Sequence, residues 1–292
     1  MKRCFTLAAA LLISLSATAQ SLTLPTIDAA ALGMGNVTMA TIHDGHSLYN
    51  NAAMTAFALY PMRLSTSYYG QADFDYYAVS GYWRFDMSNT LQVGWRQYLR
   101  EKGNRDSALD VGYTRRLNDE WAIGVVGRYM HLKRYEESTD ALAVDLSVGW
   151  QRPIENWERY STLRAGAKIA NLGGFLDHTD DHLPLSAKAG VSLETFFSDA
   201  HALTVGADVG YYFSPSEIRG LELGLGAEYN LMQLIRLRAG YHAGDDKLFN
   251  PSYGSVGVGV SILHLRCDFA YLIASKSTPL HNCYSISFGL DF

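Results

Sequence analysis

Charge, cysteine, proline and long apolar runs are all scarce in this chain of 292 residues, and each shortage excludes a class of protein. Charged residues make up 18%, against roughly 25% in ordinary soluble domains. Three cysteines are too few for a disulfide scaffold, and seven prolines beside 12% aromatics do not describe a disordered chain. After residue 16 no apolar run approaches the roughly 18 to 20 residues of a membrane-crossing helix. Basic residues are the minority, 24 against 29 acidic, with no basic block, so nucleic acid is not an expected partner. What the chain has in quantity is glycine (26) and tyrosine (19), the composition of a β protein.

The start of the chain reads as a secretory signal peptide over residues 1–19. Lys2 and Arg3 supply the positive end, Phe5 to Leu15 the apolar stretch, and Ala17-Thr18-Ala19 the small-residue cleavage site. Its loss removes two positive charges and leaves a net charge of −7. Cys4 precedes the apolar stretch and cannot carry a lipid at a mature N-terminus. Cys267 shares parity with Leu265, Phe269 and Tyr271, whereas Cys283 has the opposite parity to Tyr284, Ile286 and Phe288. The two thiols are therefore expected on opposite faces of a sheet, unpaired.

From Tyr60 onward the dominant signal has period two. Leu221, Leu223, Leu225 and Ala227 alternate with Glu222, Gly224, Gly226 and Glu228; Ile235, Leu237, Ala239 and Tyr241 alternate with Arg236, Arg238, Gly240 and His242. The same pattern recurs at 163–170, 185–194 and 256–262, giving one apolar face and one polar or glycine face per strand. About fourteen such segments follow one another, each long enough to cross a bilayer as a tilted strand of about 9 to 11 residues. An all-β, transmembrane antiparallel barrel is the expected fold, spanning residues 60–292. If the first strand runs outward, the inside connections (116–119, 198–200, 231–232) are short and the outside ones (172–182, 243–253) longer, the asymmetry of outer-membrane barrels. A soluble sandwich would have shorter strands, a bulky inner face and no such asymmetry.

Residues 20–59 do not alternate. They carry Gly33, Gly35, Asp44, Asn50 and Asn51, and a polar, small-residue segment ahead of a barrel is expected to fold into the lumen as a hatch. Ala31-Leu32-Gly33-Met34-Gly35, Asp44 to Met54, Lys168 to Gly173, Gly226-Ala227-Glu228-Tyr229, Arg238-Ala239-Gly240-Tyr241 and Asp268 to Ile273 resemble, in order, segments of the PorV/PorQ family of Bacteroidota outer-membrane proteins. Ala52 stands where that family has a proline. The resemblance implies a FadL-like barrel in the cell outer membrane, in contact with its lipid, and a non-enzymatic accessory role in type IX secretion. It further implies partners that are either secreted cargo with a C-terminal signal domain or subunits of an attachment complex. The alternative function is a FadL-like channel for small hydrophobic or polar solutes.

Inward parity collects about ten bases and eight acids, among them Arg164, Lys168, Glu222, Glu228, Arg236 and Arg238. Buried charges need partners, so these are expected to knit the wall to the hatch. Gly224 and Gly257 are read as lumen positions that accept serine. The outside connection with Asp245, Asp246, Lys247 and Phe249 is the candidate docking surface. No catalytic residue, cofactor site or metal site is nominated. Asp177 to His182 holds two histidines and three carboxylates, which reads as an exposed polar loop.

Overall fold

The computed structural model describes residues 24–42, 45–71, 74–100, 104–134, 137–154, 160–177, 182–245 and 250–292; the signal peptide expectation lies outside them. Fourteen strands form the wall: β1 Met62–Gln71, β2 Phe74–Arg84, β3 Asn89–Arg100, β4 Arg105–Arg116, β5 Trp121–Arg134, β6 Glu137–Ile154 and β7 Ser161–Phe175 in its first half. The second half is β8 Ser186–Ser198, β9 His201–Tyr212, β10 Gly220–Leu231, β11 Ile235–Ala243, β12 Tyr253–Ile262, β13 Leu265–Ala274 and β14 Tyr284–Asp291. Each strand pairs antiparallel with its sequence neighbours, and β1 closes on β14 from Arg63 opposite Asp291 to Gly70 opposite Tyr284. Closure leaves no sheet edge, which is what a β structure in lipid requires.

Alternation decides which side chain meets which medium. Leu223 and Leu225 on β10 are 43% and 57% exposed, while Glu222 and Glu228 are 7% and 8%. The exposed set is dominated by leucine, valine and isoleucine around the whole wall. In a soluble protein such a belt would be an aggregation surface; around a closed barrel with strands of this length it is the lipid contact. Aromatic side chains gather near the strand ends, with Trp83, Trp121, Phe197 and Phe292 toward the short connections and Tyr77, Tyr129, Tyr211 and Tyr241 toward the other end. The chain is an outer-membrane β-barrel.

The even-numbered strands connect to the next at one end of the barrel and the odd-numbered strands at the other, which also has the longest connections, those after β7, β11 and β13. Met232 and Gln233 both take φ 56, the left-handed backbone that tight hairpins use. Two irregularities interrupt the register: between Val144 and Leu146 of β6 the pairing shifts on β7, where Asn171 adopts φ 61, and between Phe196 and Ser198 of β8 it shifts on β9. The thiols lie as parity requires, Cys267 exposed on the outer wall and Cys283 buried.

Residues 27–41 and 46–58 are almost entirely buried and lie inside the barrel. A five-residue helix, α1 (Ala29–Gly33), is capped by Asp28, whose carboxylate accepts from the Ala30 N–H at 2.9 Å. Two short 3-10 helices follow at Gly45–Leu48 and Ala52–Phe57, the second capped by Asn51. Ala29 to Leu32, Met34, Val37 and Ala53 are fully buried, so this segment and the inner wall share one core.

Candidate functional site

The inner segment is bonded to the wall around most of its circumference. The Ala29 N–H donates to Ser287 Oγ at 3.0 Å, and Ser285 Oγ donates to the Ile27 carbonyl at 2.8 Å, fixing the start of α1 to β14. The Gly35 N–H donates to Ser255 Oγ on β12 at 2.9 Å. Asp208 on β9 accepts from the backbone N–H of Thr38 at 2.6 Å and of Met39 at 3.1 Å. Ser192 on β8 reaches the Ala40 carbonyl at 2.7 Å; Lys188 reaches that of Asn36 at 3.0 Å, and Lys168 that of Tyr49 at 2.7 Å. On the far side Gln92 and Thr114 both donate to the Ala52 carbonyl, at 3.0 and 2.7 Å. The wall thus satisfies the polar backbone of a segment too short to satisfy itself.

His46 links two strands through its ring. Nδ1 lies 2.7 Å from Ser80 Oγ and Nε2 2.7 Å from Ser67 Oγ, and Ser67 continues to Ser287 at 2.5 Å. Burial, reinforced by the Arg96 guanidinium, pushes this histidine down to about 3, so a neutral ring donates to one serine and accepts from the other.

The inward glycines are the seat on which the segment rests. A methyl group at Gly224 would sit 2.8 Å from the Gly35 carbonyl, and one at Gly257 3.2 Å from the Gly33 Cα. At Gly226 and Gly240 it would overlap the Met34–Gly35 backbone outright. The expectation that Gly224 and Gly257 accept serine is therefore corrected: chain, not open lumen, lies over them. Gly35 itself has φ +68 and closes against β10 and β11, a position that tolerates no side chain on either count.

Of the other hatch candidates, Asn51 donates to the Met39 carbonyl at 2.7 Å and to Val148 at 3.1 Å. Asn50 bonds Asp28 and accepts from Thr26. Asp44 lies outside the described residues. The lumen charges form wall-borne strips. Arg96, Asp110, Arg128 and Asp145 chain together at 2.6 to 3.1 Å, with Lys168 3.8 Å from Asp145. Lys188 stands between Asp208 at 3.6 Å and Glu222 at 3.5 Å. Arg238 bridges Glu228 and Asp268 at 2.6 Å each, Arg236 approaches Glu228 at 3.9 Å, and Arg164 pairs with Glu194 at 2.8 Å. Arg236, Arg238 and Glu228 thus pair along the wall; the bonds that grip the inner segment come from Asp208, Lys168, Lys188, Gln92 and a ring of hydroxyls. Inward serines look like filler in the sequence, and their only signal is the parity they share with the charges; His46, in the segment without alternation, carries no such signal.

Above the inner segment, toward the longer connections, a cavity of about 170 Å³ remains. Its floor is Ile27, Met39 and Asn50; its walls include Tyr76, Tyr98, Ala108, Met130, Leu132 and the polar ends of Arg96, Lys168 and Lys188. Arg96 lies over the Tyr49 ring at 4.5 Å. Nearby, Asp245 is exposed, while Asp246, Lys247 and Phe249 lie outside the described residues, as do four positions of the polar loop between Asp177 and His182.

Neither a family model nor a curated relative matches the chain. Solved structures do resemble it. The CymD monoaromatic hydrocarbon channel aligns with TM-score 0.58 at 14% identity, over 90% of this chain and 97% of that one. A Pseudomonas aeruginosa FadL homologue aligns at 0.57 and 12%, over 93% and 99%. The Pseudomonas putida toluene transporter TodX aligns at 0.59 and 10%, over 90% and 97%. At these identities the likeness is one of fold, and it is the fold of FadL-type outer-membrane barrels.

Proposed function

We propose that this barrel is a non-enzymatic channel that admits small hydrophobic or amphipathic solutes from outside the cell, with residues 24–59 acting as its hatch. The cavity above the inner segment carries the reading. It is walled by tyrosine, methionine and leucine, with paired bases and acids (Arg96, Lys168 and Lys188 beside Asp106, Asp145 and Glu222) on its polar side, a lining suited to an aromatic body with a polar substituent. Neighbours named as hydrocarbon and toluene channels support the same solute class. The test is uptake of radiolabelled monoaromatic compounds by cells making the full chain. Uptake should be saturable, and it should fall to background when Ala108 is replaced by Trp, which fills the cavity. Unsaturable uptake equal to that of cells lacking the protein would remove the proposal.

A second reading, docking of protein cargo or attachment-complex subunits, draws on the PorV/PorQ resemblance and on how completely the inner segment is bonded to the wall. In that reading the intact barrel passes no solute, and shortening 243–250 weakens capture of cargo bearing the C-terminal signal domain.

A further inference from the structure

Antiparallel register lines up β3, β4, β5 and β6 at the outer end of the barrel. Trp95, Leu109, Tyr129 and Leu142 stand side by side on the outward face, all exposed. One rung further out stand Gln97, Ser107, His131 and Asp140, each partly exposed. Two residues along a strand, at about 3.3 Å per residue and a tilt near 40°, put this polar rung about 5 Å beyond the apolar one. A lipid whose acyl chain lies against Trp95 and Leu109 therefore presents its ester group at the height of Ser107.

Asp140 Oδ1 accepts from His131 Nδ1 at 2.7 Å and from the Tyr129 hydroxyl at 2.8 Å. The first bond fixes the tautomer of the neutral ring, with the proton on Nδ1 and a lone pair on Nε2. Asp140 on β6 holds one edge of the ring, so the other edge turns toward β4, where Ser107 is directly opposite. Side chains in that relation have Cβ atoms about 4.5–5.5 Å apart, a span that a hydroxyl and an imidazole can close by rotation. Ser107 and His131 form no hydrogen bond in this state; bonds of this kind tighten when substrate arrives. Gln97, opposite Ser107 on its other side, offers a carboxamide N–H to a substrate carbonyl oxygen.

We propose that Ser107, His131 and Asp140 form an acyl-ester hydrolase on the outer wall, acting on lipids of the outer leaflet. Ser107 Oγ attacks the ester carbonyl carbon as His131 Nε2 takes its proton; the alcohol then leaves with that proton, and the acyl group stays on Ser107. Water, deprotonated by the same nitrogen, attacks the acyl-serine, releasing the carboxylic acid and restoring the hydroxyl. Asp140 is the positioning residue. The proposal rests on the outer-membrane orientation and is independent of the lumen, whose role as a channel involves no chemistry.

The test uses the purified full chain in dodecyl maltoside micelles containing dipalmitoyl phosphatidylethanolamine, read as palmitate released. Ser107→Ala or His131→Gln should bring release down to that of micelles without protein. Asp140→Asn should lower kcat by about a thousandfold with KM unchanged, since it holds the wrong tautomer. A fluorophosphonate probe should add one adduct to the wild type, mapped to Ser107, and none to either of the first two variants. Heat-modifiable migration should be the same throughout. Palmitate release that survives Ser107→Ala, or its absence in the wild type, would overturn the proposal, as would an adduct on another serine. A kcat/KM for p-nitrophenyl acetate equal to that for the lipid would overturn the assignment to membrane esters.

Discussion

On β10, Leu223 and Leu225 point into lipid, while Glu222, Gly224, Gly226 and Glu228, one residue away along the same strand, point into the lumen. The outward residues need only be apolar, because acyl chains conform to whatever they meet. The inward ones are fitted to a particular partner: glycine where the inner segment's backbone touches, serine or Asp208 where its N–H groups need acceptors, and ion pairs where it does not reach. One face is chosen by solvent and the other by a folded neighbour, so they should respond to substitution differently.

The largest contrast is expected from charge. Leu223→Arg or Val258→Arg near mid-bilayer should cost about 2 to 4 kcal/mol and block assembly, visible as loss of heat-modifiable migration. Glycines give the next. Gly226→Val should leave an assembled barrel that conducts ions in planar bilayers, because the inner segment can no longer seat; Gly174→Ala, with nothing within 4 Å, should be silent. Equal behaviour of the two glycines would break the claim that the segment selects the inner face. Smaller again is Asp208→Asn, which weakens the charge-assisted bonds to Thr38 and Met39 by about 2 kcal/mol, measurable by urea unfolding in micelles.

Most of the barrel could be read from sequence, because period two is a local pattern and lipid imposes it on every strand. The alternation of Leu221 to Glu228 falls within β10, Gly220–Leu231, and the parity of Cys267 and Cys283 separates them correctly. The end of β7 is less legible, since the bulge at Asn171 shifts parity by one residue, and the end of β8 carries a shift of its own between Phe196 and Ser198. The seat of the inner segment was legible only in part. Gly33, Gly35, Asn50 and Asn51 stand out as turn formers, but which wall groups meet them depends on strands far along the chain, as Ser255 for Gly35 and Val148 for Asn51. Nothing local distinguishes Ser255, which holds Gly35, from any other inward serine.

His46 supplies the smallest expected effect. Its folded value of about 3 lies below the ordinary 6.5, so the fold holds the neutral ring and unfolding takes up a proton. That stability is fully present above pH 6.5 and declines as pH falls toward 3. The unfolding midpoint of the wild type should exceed that of His46→Gln at pH 7, and the gap should narrow steadily to pH 4. A gap independent of pH would mean that the ring titrates alike in the folded and unfolded chain, and a gap that widens toward low pH that it is protonated inside the barrel.

Occupancy of the cavity tests the central claim most directly. Isothermal titration of the purified full chain with small monoaromatic compounds, with and without a carboxylate, should show saturable one-site binding that Ala108→Trp abolishes while leaving migration and unfolding unchanged. Binding that survives Ala108→Trp, or its absence in the wild type, would contradict a solute site above the hatch.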